Sequence, residues 1–192
     1  MYPLLEFYRD GQHLGTVRQG SQSLLRFRHA AHCRDFLEQL LAARRTSFHV
    51  DGIDCRLKVA PGLFGLLSAT PTVLGGLSLR DNLGLAVPQE PADLLDARIA
   101  HARTVTGLLA GIELARRTDS LDWRQRLELN LLQVWLRAPD CLLCERLLDG
   151  GRGSALEGLP ALFRQRYPLR AVCYVQHGPA RLPPGLATVI EL

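Results

Sequence analysis

The chain has 192 residues, of which 47% are hydrophobic and 22% charged, with a formal net charge of +4 and a pI near 9.0. This composition is typical of a soluble globular domain. No apolar run reaches the roughly 18–20 residues that span a bilayer, and the N-terminal residues lack the basic and apolar regions of a secretory signal. We therefore expect a single domain over residues 1–192, located in the cytoplasm.

The basic charge is carried almost entirely by arginine. Lys58 is the only lysine, and acidic residues are interspersed along the chain. Such usage is explained by genome composition more simply than by a charged binding face, and no RNA- or DNA-binding motif is present. We expect no nucleic-acid partner, although a basic adaptor that binds an acidic partner through its arginine-rich surface stays open as an alternative.

The cysteines predict neither disulfides nor a metal site. Their odd count in a chain without a secretory signal indicates reduced thiols. Cys141 and Cys144 lie three positions apart in the apolar run PDCLLCE, which predicts a buried strand. Because side chains alternate along a strand, the two thiols point to opposite faces and cannot chelate one ion.

The chain alternates strand and helix patterns, which indicates an α/β fold. Turn signals at Asp10-Gly11, Gly15 and Gly20 predict short antiparallel strands near the start, and Asp51-Gly52 predicts a hairpin turn. Further predicted strands are Ser23–Arg28, one beginning at Phe64, Cys141–Glu145, Ala171–Val175 and one within the final LATVIEL. Predicted helices are Asp35–Arg45, a short one capped by Ser78, Pro91–Arg117, Trp123–Arg137 and one inside Ala155–Arg166. Pro88–Asp122 is predicted to be a small inserted helical subdomain.

The stretch LDWRQRLELNLLQVWLRAPDCLLCERLLDG, Leu121–Gly150, resembles the helix after the signature motif and the following Walker B strand of an ATP-binding-cassette (ABC) ATPase. The resemblance covers about Leu24 to Leu192 and is carried by element order and by RDNL, WRQR, RAPD and QH, not by an intact motif. It implies a P-loop NTPase-like ABC ATPase core sheet with flanking helices, an N-terminal antiparallel β portion and a small helical subdomain.

The counterpart of the family's phosphate loop is Arg28–Phe36, which contains no glycine. Such a loop cradles phosphates with backbone N–H groups, a lysine and a magnesium-binding hydroxyl. Here Arg34 stands at the lysine position and Asp35 at the hydroxyl position. Side chains along this loop restrict the backbone conformations that glycine permits, and Asp35 places a negative charge where a polyphosphate would lie.

The other motifs are altered as well. Ala69 takes the Q-loop glutamine position, and the signature loop keeps Ser120 but has Leu121, Asp122 and Trp123 in place of two glycines and a glutamine. Glu145 replaces the Walker B aspartate, and Arg146 replaces the catalytic glutamate. Since a guanidinium cannot act as a general base, this change opposes hydrolysis.

Arg152 replaces the D-loop aspartate, whereas His177 keeps the switch-histidine position. The vestigial nucleotide-binding residues, by motif position, are Arg34, Asp35, Ser120, Glu145 and His177.

The resemblance therefore implies an ATPase-like pseudo-enzyme that supports a membrane transporter. We expect no catalytic residue, no metal site, and ATP–Mg binding that is weak or absent. A residually active ATPase, in which Glu145 serves both acidic roles, is the alternative within the family. The sequence Trp-Arg-Gln-Arg and the short C-terminus resemble those of ATPase-like subunits that are encoded with MCE-type lipid transporters.

The expected partners are a membrane permease and a second ATPase-like subunit, in a homo- or heterodimer on the cytoplasmic face of the membrane. The predicted docking surface is the loop and helix at Thr70–Val87 with part of Pro91–Arg117. Leu74, Leu77 and Leu83 would form an apolar patch rimmed by Arg80 and Asp81, which is a common arrangement at interaction surfaces.

Overall fold

The computed structural model describes residues 1–43, 45–148, 153–179, 182 and 185–192, without the side chains of Pro61 and residues 153–157. The chain divides into two compact units. The first combines Met1–Leu66 with Pro139–Leu192, and the second is the continuous segment Leu67–Ala138.

Strands and helices alternate through most of the described chain. The strands are β1 (Pro3–Arg9), β2 (Gln12–Arg18), β3 (Gln22–Phe27), β4 (Ser47–Val50), β5 (Ile53–Leu57), β6 (Phe64–Ser68), β7 (Cys141–Glu145), β8 (Ala171–His177) and β9 (Thr188–Glu191). The α-helices are α1 (Ala30–Ala42), α2 (Leu79–Gly84), α3 (Ala92–Thr106), α4 (Trp123–Arg137) and α5 (Gly153–Arg166).

The first unit contains an antiparallel sheet of four strands in the order β2-β1-β5-β4. Both of its tight turns take the left-handed backbone conformation that the sequences Asp10-Gly11 and Asp51-Gly52 predict, with φ between 48° and 79°. The antiparallel β portion and the hairpin near Asp51 are thus confirmed.

A five-stranded sheet has the order β6-β7-β8-β3-β9. β7 pairs in parallel with β8, which pairs in parallel with β3 on its other side. The prediction that Cys141–Glu145 is a buried strand is confirmed, and its neighbour is β8. Both faces of β7 are covered, since Leu142 and Leu143 are fully buried, as expected for a central parallel strand.

Helix α1 packs on one face of this sheet through an aromatic core. The ring of Phe36 lies 5.2 Å from that of Phe27 in β3 and 6.0 Å from that of Phe7 in β1, centroid to centroid. Leu37 and Leu40 extend the buried face of the helix at helical spacing. The same core cluster therefore joins α1 to strands of both sheets.

Two helices and one glycine differ most from the sequence predictions. Helix α1 begins at Ala30 instead of Asp35 and ends at Ala42. Helix α3 ends at Thr106 instead of Arg117, because Gly107 takes a left-handed conformation at φ +70° and stops it. Gly15 lies inside β2 and not in a turn. A Cβ atom there would come within 2.8 Å of Ile190 Cγ1, so this glycine permits close packing.

The second unit is built around α4, which spans Trp123–Arg137 as predicted. Asp122 and Gln125 form a reciprocal capping box: the Gln125 N–H donates to Asp122 Oδ1 at 2.8 Å, and the Asp122 N–H donates to Gln125 Oε1 at 3.0 Å. Helices α2 and α3 both pack against α4. Among the described residues, no helix is long and apolar enough to cross a membrane.

Candidate functional site

The predicted site residues of the first unit gather at the carboxyl edge of the parallel strands. Glu145 is the last residue of β7 and pairs with Val175, while His177 is the last residue of β8 and pairs with Phe27 at the end of β3. Both Glu145 and His177 are half-buried. This edge is where ligands bind in open α/β sheets.

The segment that corresponds to the phosphate loop is mostly helical. Only Arg28 and His29 separate the end of β3 from the start of α1. Arg34 and Asp35 lie in the second turn of the helix, and both are exposed. Without glycine, nothing in this segment favours an open loop, and the Cys33 N–H already donates to the His29 carbonyl at 3.3 Å. The backbone N–H groups that would cradle a polyphosphate are therefore used within the helix from Cys33 onward.

A carboxylate stands beside the first turn of this helix. Asp51 Oδ2, at the turn between β4 and β5, lies 2.8 Å from His32 Nδ1. The ring of His29 meets that of His32 edge-on at 5.2 Å. Because like charges repel, Asp51 opposes an incoming anion at this point. The sequence analysis missed this pair, since it interpreted Asp51 only as a turn residue.

The position of the catalytic base holds a cation on a strained backbone. Arg146 directly follows β7, is exposed, and has φ +54°. Its N–H donates to the Val175 carbonyl at 3.1 Å, which fixes the chain as it leaves the sheet. Leu147 and Leu148 are buried after it. The predicted D-loop replacement, Arg152, lies outside the described residues.

Cys141 and Cys144 are packing residues of β7. Cys141 belongs to the core cluster with Phe36, whereas Cys144 is buried outside that cluster. Both thiols are free. Burial raises the pKa of each thiol, so the thiolate that binds metal is disfavoured. In the described part of the chain, no three His, Cys, Asp or Glu residues are placed to hold a metal ion.

In the second unit, the retained signature residue Ser120 is exposed but engaged in local bonds. Its hydroxyl donates to the Arg117 carbonyl at 2.7 Å and accepts from Arg116 Nε at 2.9 Å. Arg116 Nη2 also donates to the Ser120 carbonyl at 3.1 Å. These bonds stabilise the short turn at Thr118–Ser120 and use the serine as a structural residue.

A buried amide organises the predicted docking loop. Asn82 of the RDNL sequence is 1% exposed. Its Oδ1 accepts from the Leu74 N–H, and its Nδ2 donates to the carbonyls of Leu74 and Ser78 and to Thr118 Oγ1, all between 3.0 and 3.3 Å. The available signal in the sequence was a polar residue, Asn82, between the apolar residues Leu79 and Leu83 of a short helix, and it was not used.

The predicted docking residues have different surroundings. Leu74 is 51% exposed, and Leu77 is half-buried. Arg80 is held by two hydrogen bonds to Asp96, from Nε at 2.6 Å and from Nη2 at 3.2 Å. Leu83 is fully buried, so its assignment to a docking surface was wrong: it faces the core of the second unit.

The second unit also carries an apolar groove that the sequence analysis did not identify. Its volume is about 450 Å³, and it follows helix α2 at the start of α3. One end is polar, where Arg98 Nη1 donates to both oxygens of Glu90. The lining residues are Val87, Pro88, Gln89, Glu90, Pro91, Leu94 and Arg98.

No protein-family model matches the chain, and no curated protein matches it. Among solved structures, it is similar to CbiO1 from Clostridium perfringens, described as part of the ABC transporter complex CbiONQ. The identity is 14%, the TM-score is 0.65, and the match covers 92% of this chain and 79% of the other. The chain has the ABC ATPase fold. At 14% sequence identity, the structural similarity shows only that the two chains share a fold.

ATP and magnesium, which this fold implies, do not fit the residues present. A helix occupies the place of the cradle, and Asp35 stands at the position of the magnesium-binding hydroxyl. Asp51 adds a second carboxylate at the first turn. At the far side of the same edge, Arg146 replaces the group that would polarise water.

Proposed function

We propose that this protein is a non-hydrolysing ABC ATPase-like subunit that supports a membrane transporter. The observation that carries the proposal is the start of α1 at Ala30, which leaves Arg34 and Asp35 inside a helix. A P-loop requires backbone N–H groups that face the phosphates, and this segment uses those from Cys33 onward in helical bonds. The exposed Arg146 supports the same reading, because no base is available at its position.

The proposed partners are a permease and a second ATPase-like subunit at the cytoplasmic face of the membrane. Support comes from the fold shared with a protein described as part of a transporter complex. The form of the sequence from Trp123 to Arg126 makes an MCE-type lipid transporter the proposed system. The protein would then contribute structure or regulation to its complex without chemistry of its own.

The proposed permease contact is the second unit. Leu74 presents an exposed apolar side chain on a loop that Asn82 and Thr118 hold by four hydrogen bonds to the main chain of Leu74 and Leu77. The groove that contains Leu94 offers a second apolar recess for side chains of a cytoplasmic helix. A preformed surface of this kind loses little conformational entropy on binding.

Purification of the native complex from membranes tests this proposal. Leu74→Asp should reduce the amount of protein that purifies with the permease by at least tenfold, while its melting temperature stays near that of the unchanged protein. The matched control is Leu41→Asp, which alters a side chain that is 40% exposed in α1 of the first unit. Full retention of Leu74→Asp in the complex, or equal loss of both variants, would contradict the docking assignment.

A further inference from the structure

The first unit carries a second exposed surface, at the edge opposite Glu145 and His177. We call it the amino-edge patch and define it by Met1, Tyr2, Arg18, Arg166, Leu169 and Arg170. It lies around the chain segments that lead into the amino-terminal ends of β3 and β8. The patch is thus separate from the candidate nucleotide edge.

Short main-chain contacts bring these segments together. Gly20 adopts φ +72°, and a Cβ built on it lies 3.7 Å from Met1 Cε and 3.8 Å from the carbonyl of Leu169. The Gln19 N–H donates to the Tyr2 carbonyl at 2.9 Å. The Arg170 N–H donates to the Tyr167 carbonyl at 3.0 Å, which closes the turn that carries Leu169. Met1, Tyr2 and Leu169 therefore lie in adjoining chain segments.

The apolar side chains of the patch are unusually accessible. Met1 is 85% exposed, Tyr2 77% and Leu169 74%, and no other large hydrophobic residue in the described chain exceeds 53%. Met1 and Tyr2 precede β1, and Leu169 lies in the turn before β8. Exposed apolar side chains that adjoin one another mark interaction surfaces.

The segments that carry the patch contain charged side chains of one sign only. The segments 1–5, 18–22 and 164–170 contain four arginines and no aspartate or glutamate. The Arg170 guanidinium lies 4.4 Å from the centroid of the Tyr167 ring, and the Arg166 guanidinium lies 5.7 Å from it. Aliphatic arginine stems with a charged end, combined with tyrosine, suit the boundary between lipid tails and headgroups.

We propose that the amino-edge patch binds an anionic lipid surface directly. Leu169, Met1 and Tyr2 would enter the headgroup region while Arg18, Arg166 and Arg170 remain at the level of the phosphates. The choice of lipid over protein rests on charge and shape: a protruding apolar tip with a basic rim matches a membrane surface. This contact needs no permease and uses none of the docking residues of the second unit.

Vesicle sedimentation with the full-length purified chain tests the inference. We expect binding to vesicles of two parts phosphatidylcholine to one part phosphatidylglycerol, and much weaker binding to phosphatidylcholine alone. Raising the salt from about 0.1 M to about 1 M shortens the Debye length from about 10 Å to about 3 Å and should release the protein. No binding to the anionic vesicles would overturn the proposal.

Paired variants locate the contact. Leu169→Asp should weaken anionic-vesicle binding about tenfold, and Arg166→Glu should weaken it at least fivefold, because each basic residue near such a surface contributes a factor of about five. Val105→Asp and Arg124→Glu, both exposed positions of the second unit, should bind like the unchanged chain. The assignment would be overturned if the control variants lost as much vesicle binding as the patch variants. It would also be overturned if the protein bound a soluble acidic polypeptide as strongly as the anionic vesicles. Since no permease is present, failure here leaves the docking proposal intact.

Discussion

The indole Nε1 of Trp123 donates a hydrogen bond to the main-chain carbonyl of Ala69 across 3.0 Å. Ala69 directly follows β6, and Trp123 is the first residue of α4. By motif position they replace the Q-loop glutamine and the signature-motif glutamine. The bond between these two altered motif positions ties the loop after β6 to the start of α4.

Trp123→Phe should test how much this tie contributes. The ring is kept while the donor is lost, so the partly buried carbonyl of Ala69 loses its bond. We expect the free energy of unfolding to fall by about 1 kcal/mol, the usual contribution of a neutral hydrogen bond. Urea denaturation monitored by circular dichroism measures it. A variant as stable as the unchanged protein would show that water replaces the indole without cost.

Asn82→Ala should have a larger effect. The change removes one acceptor and three donor interactions at a position that is 1% exposed. It also leaves the Leu74 N–H without its side-chain acceptor, while the Leu74 carbonyl keeps its bond from Thr118 Oγ1. We expect a loss of about 2–4 kcal/mol in the free energy of unfolding, measured by urea denaturation. Exposed Gln89→Ala is the matched amide control, and equal behaviour of the two variants would contradict the role given to Asn82.

The pH dependence of stability should report the ion pair on β1. Lys58 Nζ lies 3.0 Å from Glu6 Oε2 and, chiefly by its hydrogen bond, lowers the pKa of the Glu6 carboxyl below its ordinary value of 4.5. A carboxyl group whose pKa is lower in the folded than in the unfolded state stabilises the fold at pH values above the unfolded-state pKa. This stabilisation is lost as the pH falls through the folded-state pKa. The stability difference between the unchanged protein and Glu6→Gln should therefore be greatest near neutral pH and shrink below about pH 4.5. A difference that is constant with pH would contradict this account.

Local signals in the sequence were enough for several elements. Helix α4 was predicted with correct ends from its apolar periodicity, and in the structure Asp122 and Gln125 cap its start through residues only three apart. The hairpin at Asp51 and the buried strand at Cys141–Glu145 likewise depend on turn chemistry and on a short apolar run. The resemblance to ABC ATPases supplied the fold, which the structural similarity supports.

Other features depend on packing that no local pattern contains. The six-residue α2 is too short for periodicity to define a buried face, so Leu83 was assigned to the surface although it lies in the core. Gly15 was interpreted as a turn residue, whereas its role comes from Ile190 on a distant strand. The groove at Val87–Leu94 and the contact between Asp51 and His32 are also products of tertiary structure.

The start of α1 shows where apolar periodicity stops being informative. The spacing of apolar residues predicted a helix from Asp35, although Ala30 and Ala31 are strong helix formers. The structure follows the local propensity and begins the helix at Ala30. The loss of glycine therefore changes the conformation of the segment as well as its side chains.

The most direct test of the central claim is the effect of Mg–ATP on the thermal unfolding of the purified full chain, measured beside an active ABC ATPase. A ligand present at one hundred times its dissociation constant stabilises the folded state by about 2.7 kcal/mol. We predict no shift in melting temperature with millimolar ATP, with or without magnesium, because α1 replaces the cradle and Asp35 and Asp51 oppose the phosphates. A shift of several degrees that requires magnesium and disappears in Glu145→Gln would contradict the account.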